Sequence, residues 1–179
     1  MSSSRRAVFL DRDGVLVVPL FRDGRSFAPR TLAEFLIYPE APQCVDRLKK
    51  AGFKVIVVSN QPDVGAGFVP RELVDEMNAR LCSSMRLDAI KVCFHTIEQR
   101  CACRKPLPGM LLEAAAEIGI DLWASVMVGD RASDVEAGAM AGCLTAFLDL
   151  GYTAEPQPAS PDKVVASLGE ATDWILSLK

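Results

Sequence analysis

Phe9-Leu10-Asp11-Arg12-Asp13-Gly14-Val15-Leu16 is the stretch from which the fold can be read. An apolar run, residues 7–10, ends in two carboxylates spaced i, i+2, with a glycine directly after them. That pattern predicts a buried strand that delivers Asp11 and Asp13 into a tight turn. Two acids this close repel, so both stay useful only if a cation or a proton separates their roles. Taken alone, an Asp-x-Asp-Gly turn is more often a polar turn after a core strand, or a calcium-loop fragment, than a catalytic site. The rest of the chain decides.

Further apolar runs also end in polar residues. Residues 54–60 read as a second strand, closing in Ser59-Asn60. Residues 90–94 read as a third, followed by a cysteine-rich loop to Arg104. Residues 125–128 form a fourth, ended by Gly129-Asp130, and residues 144–148 a fifth. Helical spacing of apolar residues predicts helices over 39–52, 70–85, 108–118, 132–141 and 164–178. A loop or small hairpin is expected over 16–27; its Arg22 and Arg25, near the proposed active end, read as solvated loop charges or as anion-binding groups. A glycine-bearing loop is expected over 61–68, and a proline-rich linker over 156–161.

Strands that are apolar throughout and alternate with helices mean a parallel sheet covered on both faces. The expected fold is α/β, a doubly wound five-stranded parallel sheet forming a single domain over residues 1–179. In such sheets the chemistry sits at the carboxyl ends of the strands. Asp11, Asp13, Ser59, His95 and Asp130 all fall there.

The chain has 179 residues, half of them hydrophobic, and a net charge of −3 with both signs spread through it. With no basic stripe, nucleic acid is excluded as a partner. No apolar run approaches the ~18 residues of a membrane span. The polar N-terminus has no apolar signal region, so the expected location is cytoplasmic. Six cysteines in this setting read as thiols or metal ligands rather than a disulfide frame. Cys44, Cys82 and Cys143 are expected in the core, and Trp123 and Trp174 in core or helix packing. Nothing demands a second subunit, so a monomer is expected.

These strand ends suit a phosphate monoester. Asp11 attacks phosphorus. Asp13 protonates the leaving oxygen and then takes a proton from water; for that its pKa must be raised by Asp11 and by burial. Asp130, with Asp134 four residues on, offers oxygen ligands suited to Mg²⁺. The expected magnesium ligands are Asp11, Asp13 and Asp130, with Asp134 behind them. Ser59 offers a hydroxyl and Asn60 an N–H to the phosphoryl oxygens, while Lys105 neutralises Asp11 and the phosphoryl group. Each also has a plainer reading: Ser59-Asn60 as a turn, Asp130 as a helix cap.

Asp11-Arg12-Asp13-Gly14, Ser59-Asn60, Lys105 and Gly129-Asp130 with Asp134 resemble, in order and spacing, the four motifs of the haloacid dehalogenase superfamily of phosphatases. The resemblance covers nearly the whole chain. It implies a Rossmann-like core, Mg²⁺ dependence and an aspartyl-phosphate intermediate. No large insertion follows the first or second motif, so the site is expected to be open and essentially capless.

Cys93-x-His95 and Cys101-x-Cys103 form a four-ligand set. Residues two apart in extended chain point the same way, so each pair can grip one ion from one side. Three thiolates and an imidazole suit Zn²⁺ with no open position, hence a structural site pinning the loop. His95 is the one histidine of the chain, which argues against a serine triad.

Cys93-x-His95, Cys101-x-Cys103-Arg104-Lys105-Pro106, Pro108-Gly109-Met110, Tyr38-Pro39-Glu40-Ala41 and Ser59-Asn60-Gln61 resemble one zinc-bearing branch of that superfamily. The branch holds the D-glycero-D-manno-heptose 1,7-bisphosphate 7-phosphatases, with histidinol-phosphate phosphatases as near relatives. The resemblance implies hydrolysis of the 7-phosphate of a small phosphorylated sugar. It places Arg104 at the distal part of the substrate, where a guanidinium takes a second phosphate in bidentate fashion. Asn60, Gln61 and Arg131 are further substrate contacts. There are departures: Ala66 stands where an arginine is usual, Asp63 adds a negative charge, and Arg131 replaces a common lysine. Loss of an arginine favours a monophosphate unless Arg131 compensates, so histidinol phosphate or another small sugar phosphate is the alternative substrate. A phospho-acceptor signalling domain would need its acceptor at the end of the third strand, where this chain has the cysteine loop. A non-catalytic phospho-binding domain would not need every catalytic group retained.

Overall fold

The computed structural model describes residues 5–178; the polar residues 1–4, and Lys179, lie outside them. Strand β1 (Ala7–Leu10) is buried along its whole length. Side chains alternate across a strand, so Val8 and Leu10 enter one core while Ala7 and Phe9 enter the other. Both faces are covered, which is why every position of the run is apolar. A short hairpin follows, β2 (Leu20–Arg22) and β3 (Arg25–Phe27), paired antiparallel beside the main sheet.

The rest of the chain alternates as expected: α1 (Ala41–Lys50), β4 (Lys54–Asn60), the single turn α2 (Pro62–Gly65), α3 (Arg71–Ser84) and β5 (Ala89–Cys93). Then come α4 (Gly109–Ile118), β6 (Val126–Gly129), α5 (Ala132–Ala141) and β7 (Leu144–Leu148). The chain closes with β8 (Lys163–Val165) and α6 (Leu168–Ser177). The sheet order is β5-β4-β1-β6-β7-β8, with every pair parallel. Helices α1, α3 and α6 pack on the Val8/Leu10 face through residues such as Leu48, Met77 and Ile175. Helices α4 and α5 pack on the Phe9 face through Met110, Leu111 and Ala137. Strand β1, which leads into Asp11, thus lies mid-sheet, and its carboxyl end opens between β4 and β6.

The sheet has six strands, not the expected five. Val164 and Val165 pair with Phe147 and Leu148 instead of opening the last helix. Val165 and Leu168 are three apart, which imitates a helix face, but the helix start signal lies later. Ser167 Oγ accepts from Glu170 N at 3.1 Å, and Glu170 Oε2 accepts from Ala166 N at 2.9 Å, a side-chain cap that sets the helix start at Leu168. Asp162 Oδ2 holds β8 in place by accepting from Thr145 N at 2.8 Å and Thr145 Oγ1 at 2.9 Å.

Two side-chain expectations also fail. Cys44 and Cys143 are buried, but Cys82 is exposed. It follows Leu81, the core position of α3, and so turns about 100° away from the sheet. Trp123 is 84% exposed, not in the core. It sits in a 3₁₀ turn, Leu122–Ala124, whose Asp121 cap accepts from Trp123 N at 3.1 Å. Trp174 packs half-buried against the first core, as expected.

Candidate active site

Leu10 pairs with Val128, so Asp11 and Asp130 leave the same sheet edge side by side. Asp11 N donates to Val128 O at 3.0 Å, continuing the ladder one residue beyond β1. The turn then presses its backbone against Asp130. Gly14 has φ +99°, and a Cβ there would fall 2.1 Å from Asp130 Oδ2. Gly129 is needed likewise: a Cβ on it would fall 2.1 Å from Asp134 Cβ. Asp134 stands in the first turn of α5, where its Oδ2 accepts from Arg131 N at 3.1 Å. The result is three buried carboxylates, Asp11, Asp130 and Asp134, that each offer an oxygen within 4.8 Å of the others.

Lys105 lies among them, 3% exposed. Its ammonium donates to Asp11 Oδ1 at 2.7 Å and to Val58 O at 2.7 Å, and lies 2.6 Å from Asp134 Oδ1. Burial by itself lowers the Lys105 pKa; Asp11 and Asp134 more than offset this and hold it above its ordinary range. Burial, with Asp11 and Asp134 alongside, pushes the Asp130 carboxyl well above the usual carboxylate range. Burial also pushes Asp134 up, to about 6, although Lys105 pulls it down. Three carboxylates facing one ammonium leave the cluster short of positive charge.

Asp130 shows where that charge belongs. Its Oδ2 accepts from Tyr152 Oη at 2.7 Å. Its Oδ1 is the one buried side-chain nitrogen or oxygen among the described residues with no hydrogen-bond partner. A buried acceptor left open is costly. A hard divalent cation with oxygen ligands, the kind of ion Mg²⁺ is, fits this donor set.

The Asp13 side chain lies outside the three-carboxylate cluster. Arg12 Nε and an Arg12 terminal nitrogen donate to its two oxygens at 3.1 and 3.0 Å, and Gln61 Nε2 donates to Oδ2 at 2.7 Å. Arg12 is fully buried; it also donates to Asn78 Oδ1 at 3.3 Å and lies over the Phe35 ring. A guanidinium therefore sits beside Asp13, a role that its place in the Asp11-Arg12-Asp13-Gly14 motif did not signal.

Ser59 is buried, and its Oγ accepts from Gln61 Nε2 at 2.8 Å. Asn60 turns its side-chain amide to the backbone of Lys105, donating to the carbonyl at 3.0 Å and accepting from the N–H at 3.1 Å. The second strand end thereby fixes the segment that carries the lysine.

Asp11, Asp13 and Lys105 open into a cleft of about 1060 Å³. Arg25 of the hairpin, Arg100 and Arg104 of the cysteine loop, and Arg131 line its walls. Arg131 donates to Ser26 O and Ser26 Oγ at 2.7 Å each, and Arg104 donates to His95 O at 3.3 Å. Arg25, exposed at the cleft, fits either of its readings, and Arg100, not singled out in the sequence, is a cleft residue too. Asp63 is engaged by Arg30 at 2.7 Å.

The cysteine loop folds back as its spacing predicts. Cys93 Sγ lies 3.6 Å from Cys101 Sγ and 3.2 Å from Cys103 Sγ. His95 Nδ1 lies 3.6 Å from Cys93 Sγ and 3.4 Å from Cys103 Sγ. A tetrahedral zinc site has donor separations of about 3.5–3.8 Å, given bonds of ~2.3 Å to sulfur and ~2.0 Å to nitrogen. The four donors lie close enough together to hold one metal ion.

A mid-sheet aspartate, an acid pair at the neighbouring strand end and a buried lysine between them define a class. The model of the haloacid dehalogenase-like hydrolases matches residues 27–142, and the chain belongs to that family. Its relatives are more particular. The D-glycero-beta-D-manno-heptose-1,7-bisphosphate 7-phosphatase of Pseudomonas aeruginosa is 32% identical over 153 residues, 83% of each chain. The Yersinia pestis phosphatase of the same name is 33% identical over 190 residues, 99% of this chain and 93% of its own. The solved D,D-heptose 1,7-bisphosphate phosphatase of Bordetella bronchiseptica, complexed with magnesium and phosphate, aligns with a TM-score of 0.79 and 28% identity. That alignment covers 96% of this chain and 98% of that one. No helix among the described residues is long and apolar enough to cross a membrane.

Proposed function

We propose that this phosphatase removes one phosphate from a small sugar bisphosphate, the 7-phosphate of D-glycero-D-manno-heptose 1,7-bisphosphate, through an aspartyl-phosphate on Asp11. The observation that carries the reading is the buried Asp11–Asp130–Asp134 cluster with Lys105 inside it and one oxygen of Asp130 unpartnered. Asp11, Asp130 and Asp134 would hold Mg²⁺. When bound, the ion supplies positive charge that lets one anion attack another. Asp11 is the nucleophile, held by Lys105 at 2.7 Å. Asp13, oriented by Arg12 and Gln61, moves the proton: to the leaving oxygen first, then from the attacking water. Lys105 neutralises the nucleophile before the substrate arrives and the phosphoryl group afterwards. Ser59 acts through Gln61, and Asn60 through the backbone of Lys105.

Substrate class follows from the cleft. Arg100 and Arg104 of the cysteine loop, with Arg25 and Arg131, line the cleft and suit a second anionic group beyond the reacting phosphate. We read residues 1–179 as one phosphatase domain in which a single chain supplies every group named. The three thiols of the metal loop need a reducing compartment, which supports a cytoplasmic setting.

The test is phosphate release with Mg²⁺ from both anomers of the heptose bisphosphate, histidinol phosphate and simple sugar monophosphates. A preference for the bisphosphate is expected, with Ala66 tolerated. Preference for histidinol phosphate or a monophosphate would overturn the substrate reading and leave the chemistry standing. A second expectation concerns the Cys93/His95/Cys101/Cys103 set, which we assign to structural Zn²⁺. Protein purified without chelator contains about one zinc per chain, and a metal analysis finding none would remove that assignment.

A further inference from the structure

We propose that Tyr152 is a positioning residue for the metal-binding carboxylate, linking the β2–β3 hairpin to Asp130. The inference rests on the reading that the three aspartates hold Mg²⁺. Asp130 has two oxygens in unequal surroundings. Oδ2 is boxed in: Tyr152 Oη donates to it at 2.7 Å, and the Gly14 backbone passes so close that a Cβ would fall 2.1 Å away. Oδ1 has no partner. Occupying one oxygen fixes the carboxylate's rotation and leaves the other to face the cluster. Hydrogen bonds of this kind, behind a metal ligand, set both its orientation and its basicity.

The tyrosine is itself held from the other side. Its ring stacks on Phe21 of β2, centroids 5.9 Å apart at 20°. Phe21 is 56% exposed, so this stacking rather than burial keeps it in place. Ala154 N donates to Gly24 O at 3.0 Å, at the tip of the hairpin, and Arg131 donates to Ser26. The hairpin that gives Arg25, Ser26 and Phe27 to the cleft wall therefore shares its seat with the residue that orients Asp130. By linkage, whatever seats the hairpin strengthens metal binding, and the metal returns the effect.

The experiment is calorimetric titration of Mg²⁺ into the substrate-free, zinc-loaded chain. Tyr152→Phe keeps the ring and removes the hydroxyl; its Mg²⁺ dissociation constant is expected to rise about 10- to 100-fold. The Mg²⁺ concentration giving half-maximal phosphate release is expected to rise by the same factor. Phe21→Ala keeps the hydroxyl and removes the stack; a smaller rise is expected, and it carries the test if Tyr152→Phe does not fold. A purely structural role would lower Tm and leave the dissociation constant in place, which overturns the inference for Tyr152. An unchanged constant in Phe21→Ala overturns the hairpin link. Wild-type protein that binds no Mg²⁺ overturns the cluster reading and this inference together, and is told apart by being seen before any variant is made.

Discussion

Asp11→Asn is expected to lower phosphate release by on the order of 10⁴-fold or more, the scale seen when a nucleophile is removed outright. The substitution is nearly isosteric, but an amide nitrogen or oxygen does not form the phosphoenzyme. It also removes one of the three carboxylates that gather at the sheet edge. The fold should survive. Lys105 keeps Asp134 at 2.6 Å and Val58 O at 2.7 Å, and the buried carboxylates repel less once one is neutral. Steady-state release is measured beside a denaturant melt, together with acid-quench trapping of phosphate on the protein. The wild type should trap label on Asp11 and the variant none. Turnover retained in a folded Asp11→Asn protein would take the aspartate out of the mechanism.

Lys105→Met reverses the pattern, costing stability as well as activity. The ammonium is buried and all of its donors are used, on Asp11, Asp134 and the carbonyl of Val58. Breaking a buried ion pair by deleting one partner costs about 3–5 kcal/mol, because the remaining charge has no water to turn to. Here two partners are stranded, beside a third carboxylate, Asp130, that is already short of a cation. Equilibrium denaturation of metal-free protein should show the loss in full. Lys105→Arg is the stricter control: its planar fork is longer and cannot place three donors where one ammonium sat, so it keeps the charge without the geometry. A Lys105→Met protein as stable as the wild type would mean that the lysine does not balance this cluster.

Much of this was legible in the sequence because the inner strands β1, β4 and β6 are buried on both faces. Residues 7–10, 55–58 and 126–128 are continuous apolar runs, and the polar residues after them mark the edge where the acidic cluster gathers. The paired spacing of Cys93, His95, Cys101 and Cys103 likewise announced that these four donors would come together. What was missed has physical reasons. Strand β8 is a three-residue edge held by Asp162 and ended by the Ser167 cap, too short to show a period of its own. Arg12 and Tyr152 were missed because their partners, Asn78 and Asp130, are set by packing rather than by spacing. The cleft roles of Arg25 and Arg100 depend on how the hairpin and the cysteine loop lie over the sheet edge, which local pattern does not encode. Trp123 was expected in core or helix packing, whereas the turn that carries it faces water.

The pairing of β1 with β6 has a consequence for assembly. Asp11 comes from the first strand and its acidic neighbours from the fourth strand of the sheet in chain order, so the two halves of the cluster meet only when the crossovers between them are complete. No stretch of chain short of residue 134 holds all three carboxylates. A ligand that recognises the cluster therefore discriminates between finished and unfinished chains. It stabilises the finished one by mass action, by about 2.7 kcal/mol when present at a hundred times its dissociation constant. In such a molecule the proposed catalytic centre is also the clasp that closes the chain.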